Sequence, residues 1–195
     1  MSASTRTRFA SADWIALGLD ILRRHGAEAI TIDKLCEHAR KTKGSFYFHF
    51  PTMEAFSAAL AQQWREKFTL SLIRQADAEA NPGRALDYLG TLALHLDHRV
   101  EQAIRRLAVR DKGVAAIVAA VDEERVAYVA SRYRASGRYN EAQARRRAPM
   151  EYAALAGLQQ IMPDAHPDTL RALYDELQQL TGRLPRTGRQ RRPGG

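Results

Sequence analysis

An all-α fold follows from three observations on the 195-residue sequence. Apolar residues recur at helical spacing almost throughout. No two alternating segments flank a hairpin turn. The periodic runs open on capping residues and close on Gly or Pro. Together they predict an N-terminal unit of three helices followed by a C-terminal helical bundle, about nine helices in all.

The first helix is expected from Ser11, as N-cap with Asp13 in its first turn, to Gly26, with Trp14, Leu17, Gly18, Ile21 and Leu22 on one face. A shorter second helix starts at Thr31, whose hydroxyl can cap free N–H groups. It carries Ile32, Leu35, Cys36 and Ala39 along one side and ends near Arg40. Thr42 caps a third helix running to Phe50, where Pro51 stops it. By propensity alone, Ser45-Phe46-Tyr47-Phe48-His49-Phe50 reads as a strand, with Phe at every second position. A lone strand between two capped helices has no partner. A helix instead turns Phe46 and Phe50 inward and gathers Lys43, Gly44 and Tyr47 on another face.

Thr52 opens a long helix with Met53, Phe56, Leu60, Trp64 and Phe68 on one side, closed by the breakers Asn81-Pro82-Gly83. It would span roughly 40 Å. Further amphipathic helices are expected at about 84–98, 100–109, 113–136, 140–162 and 167–181, with Pro163 and Pro167 fixing the last loop.

The formal net charge of +8 is unevenly placed. Residues 1–68 hold 10 Lys/Arg against 7 Asp/Glu, residues 69–181 hold 15 against 15, and residues 182–195 hold five Arg and no acid. A neutral centre beside a basic N-terminal segment suits an anionic partner at one end of the molecule, most simply nucleic acid. The tail at 182–195 is nearly devoid of apolar residues and is expected to be a disordered basic extension. A lone cysteine, the lack of an apolar segment in Met1 to Arg8 and the lack of a long uncharged apolar run point to a cytoplasmic protein that neither spans nor anchors in a membrane.

The helices at 31–39 and 42–50, separated by a tight turn, match the helix-turn-helix pattern, in which the later helix enters the DNA major groove. Thr31 and Thr42 begin helices whose N–H groups and dipole ends suit phosphate oxygens. Lys41 and Lys43 add positive charge, Gly44 permits close approach, and Ser45, Tyr47, Phe48 and His49 complete the candidate DNA-contact set.

Thr31-Ile32-Asp33-Lys34-Leu35-Cys36-Glu37-His38-Ala39, then Thr42-Lys43-Gly44-Ser45-Phe46-Tyr47-Phe48-His49-Phe50-Pro51, then Glu54-Ala55-Phe56 resembles the tetracycline-repressor (TetR) family of bacterial one-component transcriptional regulators. The resemblance implies a three-helix DNA-binding domain at 8–68 with its helix-turn-helix motif at 31–50. A connecting fourth helix would lead to an effector-binding and dimerisation domain at 69–181. Three positions depart from the family pattern. Arg40 stands where a Gly is usual and so should take a left-handed conformation, Lys41 replaces a small apolar residue, and Met53 replaces a frequent Lys.

The function so implied is that of a homodimeric regulator, a repressor, on a pseudo-palindromic operator in double-stranded DNA, released by a small, largely apolar effector. Trp64, Phe68, Tyr88, His95 and Tyr128 are the candidate pocket residues, a set that would otherwise be plain core. Met150, Ala153, Ala154, Gly157, Leu158, Ile161, Leu170, Leu173, Tyr174 and Leu177 on the last two helices form the candidate dimer face, its small residues permitting close helix approach. No metal or other cofactor is expected: His95 and His98, even with Asp97 between them, offer no clear convergent set of three or four ligands, and Cys36 reads as a small buried hydrophobe. The absence of a Gly-rich phosphate loop, of HExxH and of Gly-x-Ser-x-Gly argues against an enzyme. Two rival readings are a constitutive DNA-binding protein without an effector and a helical ligand carrier or enzyme; a sequence-specific footprint on DNA separates them from a regulator.

Overall fold

The computed structural model describes residues 9–180, and within them every element is helical. Both the start of the expected DNA-binding domain at Arg8 and the basic tail at 182–195 lie outside the described residues.

Helix α1 spans Ser11–His25. Its N-cap is Ala10 rather than Ser11, because the Asp13 carboxylate reaches back to accept the Ala10 N–H at 2.7 Å. Gly26, at φ 74°, ends it, and a 3₁₀ turn at Ala27–Ala29 leads to α2, Ile32–Ala39. Arg40 closes α2 in the left-handed conformation, φ 52° and ψ 45°, as its place in the turn requires. Helix α3 covers Lys43–Tyr47, shorter than the sequence suggests, with Ser45 N–H donating to Thr42 Oγ1 at 3.2 Å. The chain to Phe50 stays coiled, since Phe48 N–H donates to Gly44 O and Phe50 N–H to Phe46 O. The aromatic run is therefore turned through a helix and not laid out as a strand, which buries Phe46 and Phe50.

The long helix from Thr52 is one rod in three parts: α4 at Met53–Arg65, a π turn at Glu66–Leu70, and α5 at Ser71–Asp77. Asn81 caps α6, Pro82–Leu94, by accepting from Gly83 N–H and Arg84 N–H, with Pro82 in the first turn where a missing N–H is harmless. Then follow α7 at His98–Ala108, α8 at Lys112–Ala135, α9 at Glu141–Ile161 and α10 at Pro167–Leu180, giving nine rods among the described residues. Pro149 sits inside α9, where it removes one backbone hydrogen bond without ending the helix.

Three apolar clusters hold these rods together. The largest joins α1 to α4 with α7 and the start of α8, through Trp14, Leu35, Phe46, Phe56, Trp64 and Ile104. A second gathers Leu86, Val129, Tyr133, Ala144 and Ala148, and a third Leu94, Leu170 and Tyr174. Helix α7 is thus packed into the core of the N-terminal helices, and Arg110, just beyond its end, donates to Ala27 O and pairs with Glu28.

Gly18 sets how closely α1 approaches α4. A Cβ there would lie 2.8 Å from Phe56 Cζ and 3.0 Å from Leu60 Cδ1, both on fully buried side chains. Gly18→Ala should cost about 1–3 kcal/mol by overpacking. The melting temperature should fall by several degrees; an unchanged melt would show that the two helices can spread at no cost.

Candidate nucleic-acid interface and internal cavity

Helices α2 and α3 present one charged, hydrogen-bonding surface. Lys41, Thr42, Lys43 and Gly44 are exposed, as are Tyr47 at 49% and Phe48 at 66%, while Phe46 beneath them is fully buried. The buried ring fixes the helix, so the exposed groups are presented on a rigid base. Thr31 and Thr42 are exposed and use their hydroxyls as caps, accepting from Lys34 N–H and Ser45 N–H. Ser45 is half-buried. Lys43 Nζ lies 2.6 Å from Asp33 Oδ1, and its hydrogen bond to that carboxylate raises the ammonium pKa. Lys41 lies over the Phe9 ring. His49 departs from the expected arrangement: half-buried, it turns back so that Nε2 donates to Phe9 O at 3.0 Å. Its phase on the coil directs it toward the chain start rather than outward. Cys36 is buried behind this surface, and burial pushes its thiol pKa up.

The second feature is a cavity of about 80 Å³ in the C-terminal half, where the three apolar clusters meet. Phe68, Leu72, Leu86, Leu89, Ala93 and Leu155 form much of its apolar wall, and Glu101, Arg125 and Tyr152 form a polar end. Of the five expected pocket residues, Phe68 and Tyr128 border it. Trp64, fully buried, lies outside the lining and donates its Nε1–H to Glu101 Oε2. Tyr88 is 44% exposed on the outer face of α6, and His95 is exposed at the end of α6, its Nδ1 at 2.7 Å from Thr91 O. Both lie on the wrong phase of that helix to reach the cavity.

Sequence reasoning missed the polar end altogether, because charged residues on amphipathic helices read as solvated positions. Arg125 donates from Nε to Thr69 Oγ1, from Nη1 to Glu101 Oε1 and Tyr152 Oη, and from Nη2 to Glu101 Oε2 and Phe68 O. The Phe68 carbonyl is accessible to it in the π turn. Arg105 bonds Glu101 and grips Asp122 with two N–H groups, at 3.0 and 2.6 Å, while the Tyr152 hydroxyl donates to Asp122 at 2.6 Å. The i,i+4 spacing of Glu101 and Arg105 was the one signal of this network visible in sequence.

Burial works against charge on Asp122, but the hydrogen bonds from Arg105 and Tyr152 outweigh it and hold the carboxyl pKa below its ordinary value. Burial lowers the His98 pKa, which favours the neutral ring at the cavity edge. Burial and a hydrogen bond to Asp77 push the Tyr128 phenol up to about 12.

The candidate dimer residues divide. Met150 at 65%, Ile161 at 76% and Leu173 at 42% are exposed, as is Ala153, with Ala154 and Gly157 half-buried beside them. Leu170 and Tyr174 instead face their own chain, 0% and 4% exposed, and Leu158 and Leu177 pack partly against them. The inner edge of the apolar stripe on α10 closes the third cluster, and the outer edge stays exposed.

Residues 15–60 match the family model described as bacterial regulatory proteins, tetR family. No curated protein is similar enough in sequence to match the chain. Solved structures are similar over most of its length. A transcriptional regulator from Rhodococcus sp. Rha1 aligns with a TM-score of 0.75 at 19% identity, covering 85% of this chain and 92% of that one. A transcriptional regulator from Saccharomonospora viridis, in complex with choline, aligns at 0.75 and 11% identity over 87% and 95%. The regulatory protein TetR from Rhodobacter sphaeroides aligns at 0.72 and 21% identity over 86% and 96%. No helix among the described residues is long and apolar enough to cross a membrane. The N-terminal helices of this chain thus match the tetR family of bacterial regulatory proteins over residues 15–60, and its described helices share the fold of these solved regulators.

Proposed function

We propose that this protein is a homodimeric repressor that binds a pseudo-palindromic operator and leaves it when a small, largely apolar molecule enters the cavity. The observation that carries the reading is a shared rod. The helix that starts at Met53, beside the helix-turn-helix, reaches the cavity wall at Phe68, Thr69 and Leu72. A guest that fits better when this rod tilts would move the two recognition helices out of register, by no more free energy than its preference for that state. The choline complex of the Saccharomonospora viridis regulator supports a small-molecule site in this fold. In this proposal the DNA-binding unit is 8–68 and the effector and dimerisation unit 69–181, and the contact set is Thr31, Lys41, Thr42, Lys43, Gly44, Ser45, Tyr47 and Phe48.

Selection of bound sequences from a random duplex pool tests the first half of the reading. Two inverted half-sites near one helical turn apart, or a multiple of it, are expected; enrichment of no sequence would leave a nonspecific DNA-binding protein. The association half has its own test. Met150→Glu with Leu173→Glu, both on exposed positions, should give monomers in sedimentation with the helical content retained. A persisting dimer would place the interface elsewhere.

A further inference from the structure

The charged groups bordering the cavity are already answered from within the chain, and this restricts the guest. Each N–H of the Arg125 guanidinium is engaged: one by Thr69, two by Glu101, one by Tyr152 and one by the Phe68 carbonyl. Glu101 Oε1 accepts from Arg105 and Arg125, and Oε2 from Trp64 and Arg125. Glu151 accepts the Tyr133 hydroxyl on one oxygen and the Tyr174 hydroxyl on the other. Asp97 pairs with Arg99 and caps α7, and burial keeps His98 on the neutral side.

A carboxylate or an ammonium brought into this space would lose its hydration and find its natural partners already committed, so binding would require breaking the network. An uncharged guest meets no such penalty and gains contact with Phe68, Leu72, Leu86, Leu89, Ala93 and Leu155. Resting on the effector-released reading above, we infer that the effector is an uncharged, mainly apolar small molecule, and that Tyr152 helps exclude anions by occupying arginine N–H groups.

Size adds a second element. An apolar cavity of about 150 Å³ is known to hold a benzene, and this one is about 80 Å³. A guest of one ring fully seated here would press on the walls, one of which is the π turn of the rod leading to the helix-turn-helix.

A matched series on one ring tests the charge rule: benzyl alcohol, benzoate and benzylammonium, titrated into the full-length dimer at pH 7 by calorimetry. Benzyl alcohol should bind about tenfold or more tightly than either charged congener, and Ala93→Phe and the milder Ala93→Leu should each weaken it. Tyr152→Phe keeps the ring but frees N–H groups on Arg105 and Arg125, so benzoate should gain about tenfold relative to benzyl alcohol. The inference is overturned if a charged congener binds wild type as tightly as the alcohol, or if none of the three binds. It is equally overturned if both Ala93 variants bind like wild type, or if Tyr152→Phe leaves the ratio unchanged. Operator affinity, measured in the same samples, judges the underlying reading separately: the alcohol bound in the cavity with operator affinity unchanged would refute effector release while leaving the charge rule standing.

Discussion

Lys43→Ala and Tyr47→Ala are each expected to weaken binding to the selected operator by about tenfold to a hundredfold per half-site, and in the proposed two-fold dimer the losses at the two half-sites should multiply. Neither change should unfold the protein. Tyr47 is 49% exposed, and Lys43 is exposed with an equally exposed partner in Asp33, so the melting temperature should hold within a degree or two. The variants differ in how they respond to salt. If Lys43 reaches a phosphate, its removal lowers the salt slope of binding by about one per protomer, whereas loss of Tyr47 leaves the slope unchanged. Wild-type affinity in both variants at physiological salt would remove α3 from the role of reader. Phe46→Ala should lose DNA binding by the other route, because its fully buried ring holds α3 in place and truncation costs about 3–5 kcal/mol of stability.

The second large effect is expected far from DNA. Glu101→Ala leaves Arg125, Arg105 and the Trp64 indole N–H without their shared acceptor. Breaking a buried charge pair from one side costs about 3–5 kcal/mol, which for a chain of this size lowers the melting temperature by about 10 °C. Replacing both sides together, Glu101→Leu with Arg125→Met, should recover much of that loss, because no orphaned charge remains at that pair. A Glu101→Ala variant that melts with wild type would show that the network contributes nothing to the fold.

Acid should reveal the same region. The Asp122 pKa is lowered in the folded chain, so the stability it contributes is fully present above its ordinary value of 3.8 and is lost as pH falls through the lowered one. His98 acts with the same sign at higher pH. Its folded pKa lies below the ordinary 6.5, so the unfolded chain takes up the proton first and stability falls as pH drops from 6.5 through the folded value. Urea midpoints between pH 7 and 5 should decline in wild type and flatten in His98→Gln; identical slopes would remove His98 as a source of the decline.

Much of this molecule is local, and what is local was legible. Caps at Thr31, Thr42 and Thr52 act on N–H groups three residues away, so the helix starts they set follow from short stretches of sequence, whereas Asn81, read as a breaker, proves to be the cap of α6. The helix-turn-helix lies within twenty residues, and even the left-handed Arg40 is dictated by its position in a tight turn. The Asp13 carboxylate, a stronger N-terminal device than the Ser11 hydroxyl, moved one boundary by a residue, and the aromatic run left α3 two to three residues shorter.

The cavity was legible only in outline. Apolar helices announced that a core exists, but whether Tyr88 or Leu89 faces it depends on the phase at which α6 meets its neighbours, and Leu89 won. Glu101 and Arg125, 24 positions apart, and Arg105 and Tyr152, 47 apart, become partners only when α7, α8 and α9 pack. The same packing decided that Leu170 and Tyr174 close a core while Met150, Ile161 and Leu173 stay outside. The sequence by itself therefore determined most of the helices, the threonine caps and the helix-turn-helix, because hydrogen bonds and side-chain contacts three or four residues apart suffice to specify them. The tertiary structure alone decided the polar end of the cavity, the π turn beside it and the inward edge of α10. These depend on which faces of distant helices meet, and a periodic pattern marks a buried face without naming what it is buried against.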